Sequence, residues 1–67
     1  MSREQEWECT IQRPDGAREI KVMRVSPPLA QASAEVRAIR EVAGVPSGDV
    51  PEGYRCTFSR FIREIWQ

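Results

Sequence analysis

Apolar and polar residues alternate along the first part of the chain. In residues 7–13, WECTIQR, every second side chain from Trp7 to Ile11 is apolar, which is the period of a half-buried β-strand. Residues 14–16, Pro-Asp-Gly, follow as a turn, because proline presets the first corner and glycine accepts a positive φ. Residues 18–25, REIKVMRV, have the composition of a second strand. The pattern predicts an N-terminal β-hairpin.

The second strand is apolar on both of its faces. Ile20 and Val22 share one side of it, and Met23 and Val25 share the other. Pairing with the apolar side of the first strand favours burial of Ile20 and Val22. Continuity into the segment that follows favours burial of Met23 and Val25. The sequence leaves both choices open.

A helical period begins after the second strand. Ser26 is a suitable N-cap, and the two prolines at positions 27 and 28 are tolerated in a first helical turn. Gly44 provides a C-terminal stop. We expect one helix face to be buried, and its apolar residues are Leu29, Ala32, Val36, Ile39 and Ala43.

The last third of the chain allows two structures. Residues 45–53, VPSGDVPEG, form a loop, since two prolines and two glycines interrupt any regular pattern. Residues 54–59 have the composition of a short strand, whereas a strand continued further would place Arg60 and Glu64 among apolar residues. A second helix over residues 58–66 is therefore the prediction, and its apolar face contains Phe58, Phe61, Ile62, Ile65 and Trp66.

These elements predict an α+β fold in one small domain, residues 1–67, with residues 1–6 flexible. The expected order is a β-hairpin followed by two helices; the alternative is a ββαβ mini-domain with a three-stranded sheet and one helix. A chain of this length buries only about 60% of the surface that its unfolded form exposes. Two cysteines, Cys9 and Cys56, cannot form a disulfide framework. We therefore expect a homodimer to supply further burial.

The residue inventory argues against catalysis. The chain contains no histidine, no glycine-rich phosphate loop and no nucleophile elbow, and it is too short to enclose a pocket of the usual size. Two thiols alone cannot complete a zinc site. We expect neither an enzyme nor a bound metal or cofactor. The polar N-terminus has no signal peptide, and no stretch approaches the roughly 20 apolar residues of a membrane span, so the cytoplasm is the expected location.

Charge patterning leaves nucleic-acid binding open. Ten basic and ten acidic residues give a net charge of zero, which argues against strong non-specific binding to nucleic acid. Lys21 is the only lysine. The arginines that make up the rest suit bidentate contacts to phosphate or guanine, although a GC-rich coding sequence produces the same bias.

Two segments resemble a known family. VMRVSPPLAQASAEVRAIREVAG, residues 22–44, followed by TFSRFIREIW, residues 57–66, is similar to the ribbon–helix–helix repressors of the Arc and MetJ type. The shared pattern is a strand, a Ser-Pro corner, a first helix, a turn and a second helix that begins near a serine. The resemblance covers about two-thirds of the chain and departs from the family in its longer inter-helix loop and additional N-terminal strand.

The resemblance implies a dimeric DNA-binding protein, a transcriptional repressor or an antitoxin-type regulator. Strands from two chains would pair into a ribbon that enters the major groove of double-stranded DNA. The reading face of the ribbon would consist of Ile20, Val22 and Arg24. The N-terminus of the second helix would hold a phosphate near Thr57 and Ser59, with Phe58 between them.

A protein-binding module is the other functional hypothesis. Only Arg24 on the expected reading face carries groups that match base edges, since Ile20 and Val22 contact at most thymine methyls. A neutral chain with an exposed strand edge is suited to docking on another protein. Small phage and plasmid proteins, including inhibitors of host defence enzymes, have this size and lack a catalytic site. The sequence leaves both hypotheses open.

Overall fold

A computed structural model describes residues 3–66 of the chain. The elements follow the order β1 (Arg3–Gln12), β2 (Arg18–Val25), α1 (Ala30–Ala43) and β3 (Arg55–Trp66). The three strands form an antiparallel sheet in the order β2-β1-β3, and α1 packs across one face of it. The architecture is α+β, of the ββαβ type.

The N-terminal hairpin is regular. Its pairing runs without interruption from Gln5 opposite Val25 to Gln12 opposite Arg18. Asp15 and its neighbours close the turn, where the Asp15 carboxylate accepts a hydrogen bond of 2.9 Å from a backbone N–H two residues later. Residues 3–6, expected to be flexible, belong to β1, and residues 1 and 2 lie outside the described residues.

The predicted second helix is wrong, because residues 55–66 form the strand β3, which pairs with β1. The hairpin followed by two helices is therefore replaced by the alternative, a three-stranded sheet with one helix. The physical reason lies in two register shifts, which leave Thr57 and Ile62 as extra residues on β3. Each extra residue shifts the alternation of side chains between the two faces of the sheet by one position, so the apolar residues of β3 acquire a spacing that resembles a helical period.

The core lies between α1 and the sheet and settles the choice of face in β2. Met23 and Val25 are buried, together with Cys9 and Ile11 of β1, whereas Ile20 and Val22 lie on the opposite side of the sheet and are exposed. On the helix, the buried side chains are Ala30, Ala34, Ala38 and Ile39.

The helix differs from its prediction in its start and in its buried face. It begins at Ala30 and not after Ser26; Leu29 occupies the N-cap with a left-handed φ of 63° and forms no side-chain capping bond. Of the predicted buried face only Ile39 is buried, and Leu29 is 77% exposed. Small alanines face the sheet because they let the helix backbone approach the strands closely. The helix ends at Gly44 with φ 76°, as predicted.

Residues 45–53 contain neither helix nor strand. Arg40 holds this loop against α1, because its Nε donates a hydrogen bond of 3.1 Å to the Gly48 carbonyl. At the end of the loop, Tyr54 packs against the core. The loop therefore carries the chain from the end of α1 back to the sheet for β3.

Candidate functional site

One face of the sheet has no helix over it in the part of the chain that the structure describes. Alternate side chains of each strand point to this side, and the pairing of the strands fixes which residues are neighbours. We call this surface the open face. Its residues are Arg18, Ile20, Val22 and Arg24 of β2, Glu4, Glu6, Glu8, Thr10 and Gln12 of β1, and Arg55, Phe58, Arg60, Arg63 and Ile65 of β3.

An apolar patch, defined as Ile20, Val22 and Phe58, occupies one region of the open face. Ile20 and Phe58 both lie opposite Thr10, so that the three form a row across the sheet, and Val22 lies in the next row. Ile20 is 60% exposed, and Val22 and Phe58 are each 56% exposed. Adjacent exposed apolar side chains of this size are typical of interaction surfaces.

Ion pairs order the charged side chains beside the patch. The Glu6 carboxylate lies between two arginines, 2.9 Å from Arg63 Nε and 3.6 Å from Arg24 Nη2. Glu8 accepts a hydrogen bond of 2.7 Å from Arg60 Nε. Exposed pairs of this kind contribute at most about 1 kcal/mol each to stability. Their main effect is to hold the side chains in place on a face where five arginines outnumber three glutamates.

The outer edge of β2 is a second feature of the site. In an antiparallel strand, the N–H and C=O of alternate residues point to the same side. In the turn, the Arg13 N–H donates a hydrogen bond of 2.8 Å to the Ala17 carbonyl, so the odd-numbered residues are the ones that bond across the hairpin. The backbone groups of the even-numbered residues of β2 therefore point away from β1. The Arg24 carbonyl confirms this direction, because it accepts a hydrogen bond of 3.1 Å from Arg37 Nη1 of the helix.

The structure brings three of the expected DNA-contact residues together and separates the other two. Ile20, Val22 and Arg24 are neighbours on β2, but the Arg24 side chain is already paired with Glu6. Thr57 and Ser59 lie on β3, at the other edge of the sheet, and not at the N-terminus of a helix.

The surroundings of Thr57 and Ser59 also differ from a phosphate clamp. Thr57 Oγ1 donates to the Thr10 carbonyl at 3.4 Å. Ser59 Oγ donates to the Glu35 carboxylate at 2.5 Å, and it accepts a hydrogen bond of 2.9 Å from Gln31. A carboxylate at this position repels phosphate. Ser59 instead fastens β3 to the helix.

Phe58 and Arg60 lie on the open face, although the sequence analysis did not predict them to be exposed neighbours of Ile20 and Val22. Both were assigned to a helix, where Phe58 would have been buried. The signal for a strand was the alternation of apolar Tyr54, Cys56 and Phe58 with polar residues in the segment 54–59. The partners of Phe58 and Arg60, Thr10 and Glu8 of β1, could be identified only from the pairing of β1 with β3.

The two cysteines are neighbours on the covered side of the sheet. Both are free thiols, and Cys9 is fully buried. Burial, with a smaller contribution from the adjacent Cys56, raises the pKa of the Cys9 thiol to about 12. A thiol with this pKa forms almost no thiolate at neutral pH and is a poor nucleophile. No cluster of three or more metal-binding side chains occurs between residues 3 and 66.

Two shallow grooves of about 410 and 420 Å³ flank the helix, and Arg37 and Arg40 line both of them. The two guanidinium groups are already bonded to backbone carbonyls, those of Arg24 and Gly48. These arginines therefore have structural roles, and the open face and the β2 edge are the stronger candidates for function.

Comparison with protein-family models, curated proteins and solved structures gives no match. Within residues 3–66, no helix has both the length and the apolar character needed to cross a membrane.

Proposed function

We propose that this chain is a non-catalytic protein-binding module that contacts its partner through the open face. The observation that carries the proposal is the apolar patch, in which three large side chains are each more than half exposed. They lie on the side of the sheet away from α1, which covers Cys9, Ile11, Met23 and Val25 on the other side. Phe61 and Trp66 lie on that other side and are 46% and 60% exposed. Leaving these side chains in water has a cost that a partner removes by covering them.

The charges around the patch favour a protein partner with acidic groups. Protein interfaces commonly combine an apolar centre with a polar rim, and arginine is enriched in them. Arg18 and Arg55 flank the row of Ile20 and Phe58, while Arg60 lies beside Val22 across Glu8. Carboxylates on the partner would complement this rim and speed its approach.

DNA reading by a β-ribbon is not part of this proposal. It depended on a second helix, and that segment is β3. It also depended on pairing between the strands of two chains, whereas β2 pairs with β1 of its own chain. A homodimer remains a prediction that light scattering at micromolar concentration measures. The proposal also includes a cytoplasmic location and, as one class of target, a host defence enzyme inhibited by a phage or plasmid protein.

The test compares two variants that remove exposed apolar side chains of similar size. Phe58→Ala removes the largest side chain of the apolar patch, and Leu29→Ala removes a more exposed one on the helix side. Each protein is immobilised, and the partner captured from lysate of its source cells, treated with nuclease, is quantified by mass spectrometry. We expect Phe58→Ala to lower capture at least about 30-fold, as for an interface hot spot, and Leu29→Ala to leave capture unchanged.

Equal capture by the two variants would contradict the proposal, as would a captured species that disappears with nuclease treatment. Circular dichroism of both variants confirms that a loss of capture is not a loss of folding.

A further inference from the structure

We propose that the outer edge of β2 accepts an extended segment of the partner protein as a fourth strand of the sheet. This inference rests on the proposed function and specifies how the partner binds. The segment is acidic and alternates apolar with charged residues. It pairs with β2 along residues 18–23.

Unpaired backbone groups are the first support. The N–H and C=O of Ile20 and Val22 point away from β1, and no hydrogen-bond partner for them is found among residues 3–66. A row of such groups along a sheet edge is a template for another strand. The Arg24 carbonyl is already bound to Arg37, which marks the end of the free edge.

The regularity of β2 distinguishes it from the other edge of the sheet. β2 pairs with β1 without a register shift, so its outward groups keep the even spacing that a partner strand needs. β3 carries two extra residues, Thr57 and Ile62, which interrupt this spacing. Bulges of this kind protect an edge from further pairing. The β2 edge is therefore the one suited to accept a strand.

The side chains of β2 specify the chemistry of the partner strand. Ile20 and Val22 lie on the edge strand, and each is more than half exposed. β-Branched or aromatic residues of the added strand would pack on them. Arg18, Lys21 and Arg24 outnumber the one acidic residue of β2, Glu19. Lys21 lies between Ile20 and Val22 on the other side of β2, 3.3 Å from Glu19 and 3.8 Å from Glu41. An acidic residue opposite Lys21 would alternate with the apolar residues opposite Ile20 and Val22, and a second one could reach Arg18 at the start of the strand.

A second copy of this chain is the competing occupant of the edge. An antiparallel pair of β2 strands centred on Lys21 places Lys21 opposite Lys21 and Arg18 opposite Arg24, and like charges directly opposite are destabilising. A register centred on Val22 avoids these pairs but requires the Arg24 carbonyl that Arg37 already holds. A register centred on Ile20 avoids both difficulties, because it places Arg18 opposite Val22 and Glu19 opposite Lys21, so concentration-dependent protection of the edge amides is the outcome that identifies a second copy. The surplus of cations along β2 favours a partner strand with acidic residues.

The first experiment uses a displayed library of random twelve-residue peptides as the probe. The selected peptides are tested against the wild type, Val22→Pro and Val22→Thr. Proline removes the outward N–H and is tolerated at a sheet edge, whereas threonine keeps both the N–H and the β-branched shape. We expect alternating apolar and acidic peptides. Binding should weaken in both variants, because both change the Val22 side chain, and it should weaken about fivefold to 100-fold more in Val22→Pro, which also lacks the outward N–H.

The second experiment, amide hydrogen exchange of the wild type, does not depend on the folding of a variant. The amides of Ile20 and Val22 should exchange rapidly in the free chain and become protected when a selected peptide binds. The amides of Lys21 and Met23 point toward β1 and should be protected in both states, which makes them the internal control.

The outcomes separate this inference from the proposed function. Peptide binding that requires Phe58 but leaves the Ile20 and Val22 amides unprotected overturns strand addition and keeps the open face as the binding surface. Peptides that bind wild type and Val22→Pro equally, or no enriched peptide at all, also overturn strand addition. Protection of these amides that rises with protein concentration and without peptide identifies a second copy as the occupant and overturns the acidic partner.

Discussion

At the scale of single residues, the two sides of the sheet place opposite demands on their side chains. Cys9 and Ile11 have no exposed surface and contact the alanines of α1. Ile20, only one strand away, is 60% exposed although it is more hydrophobic than Cys9. Covering by α1, and not the hydrophobicity of the side chain, decides which residue is buried.

Stability should fall in alkaline solution because of Cys9. The folded chain holds the thiol proton more tightly than the unfolded chain does, because folding raises the thiol pKa from 9.0 to about 12. The stability that this difference contributes is fully present below pH 9.0 and is lost as the pH rises toward about 12. The free energy of unfolding should decrease by up to about 1.4 kcal/mol per pH unit in this window. Urea unfolding at pH 8, 9, 10 and 11 measures the slope. Cys9→Ala should have a shallower slope, and identical slopes would refute the assignment to this thiol.

Gly53 should tolerate alanine less well than Gly16. Both glycines have a φ of 90°, so alanine at either position incurs the left-handed cost of about 1–2 kcal/mol. An added Cβ at Gly53 lies 2.9 Å from Pro14 Cγ, whereas at Gly16 no atom lies within 4 Å. We expect Gly53→Ala to lose a further 1–3 kcal/mol or so of unfolding free energy. Urea unfolding of both variants measures the difference, and equal losses would show that Pro14 moves freely.

At the scale of elements, α1 is positioned by small residues on the side that faces the sheet. Alanines recur at every fourth position and let the helix lie close to β1 and β2. The larger apolar residues Leu29 and Val36 are not on the side of the helix that faces the sheet. Close approach, and not the number of large side chains, therefore selects the buried face of this helix.

Leucine should be tolerated on one face of α1 and not on the other. Ala34 is fully buried against the sheet, so Ala34→Leu forces overpacking and should lower the unfolding free energy by about 1–3 kcal/mol. Ala32 is exposed on the same helix, and Ala32→Leu should change stability by less than about 0.5 kcal/mol. Thermal and urea unfolding measure both. A larger loss of unfolding free energy in Ala32→Leu than in Ala34→Leu would support the buried helix face that the sequence predicts, which contains Ala32.

At the scale of the whole molecule, zero net charge conceals an uneven distribution. Arginines are concentrated on the open face, where Glu6 and Glu8 neutralise some of them through ion pairs. Glu64, by contrast, lies on the covered side of the sheet, 3.9 Å from Arg3 Nε. The open face is therefore a basic surface although the total charge of the chain is balanced.

Removing a carboxylate from the open face should strengthen the binding of an acidic partner. Glu6→Gln releases Arg24 and Arg63 from their shared partner, and the loss of exposed ion pairs should reduce stability by about 1 kcal/mol or less. Glu64→Gln makes the same change of charge on the other side of the sheet. We expect tighter binding of an acidic peptide for Glu6→Gln alone, with the gain declining as salt rises. Calorimetry at two salt concentrations measures it, and equal gains in both variants would mean that net charge alone controls binding.

The sequence by itself determined the hairpin and the presence of α1. Alternation in residues 7–13 and the turn at residues 14–16 specify two adjacent strands through local geometry. The period of the following segment and Gly44 specify a helix and its end. These features were predictable because each depends on interactions between residues close together in the chain.

Only the tertiary structure decided that residues 55–66 form a strand and which side of β2 is buried. Residues 55–66 form a strand because β1 offers them an edge 40 or more positions away in the chain, and the extra residues Thr57 and Ile62 obscure their alternation. Ile20, Val22 and Arg24 were identified as an exposed set from a family resemblance, but their neighbours Phe58 and Arg60 were not. Burial of a strand that is apolar on both sides depends on where the helix lies, and that position is a property of the packed whole.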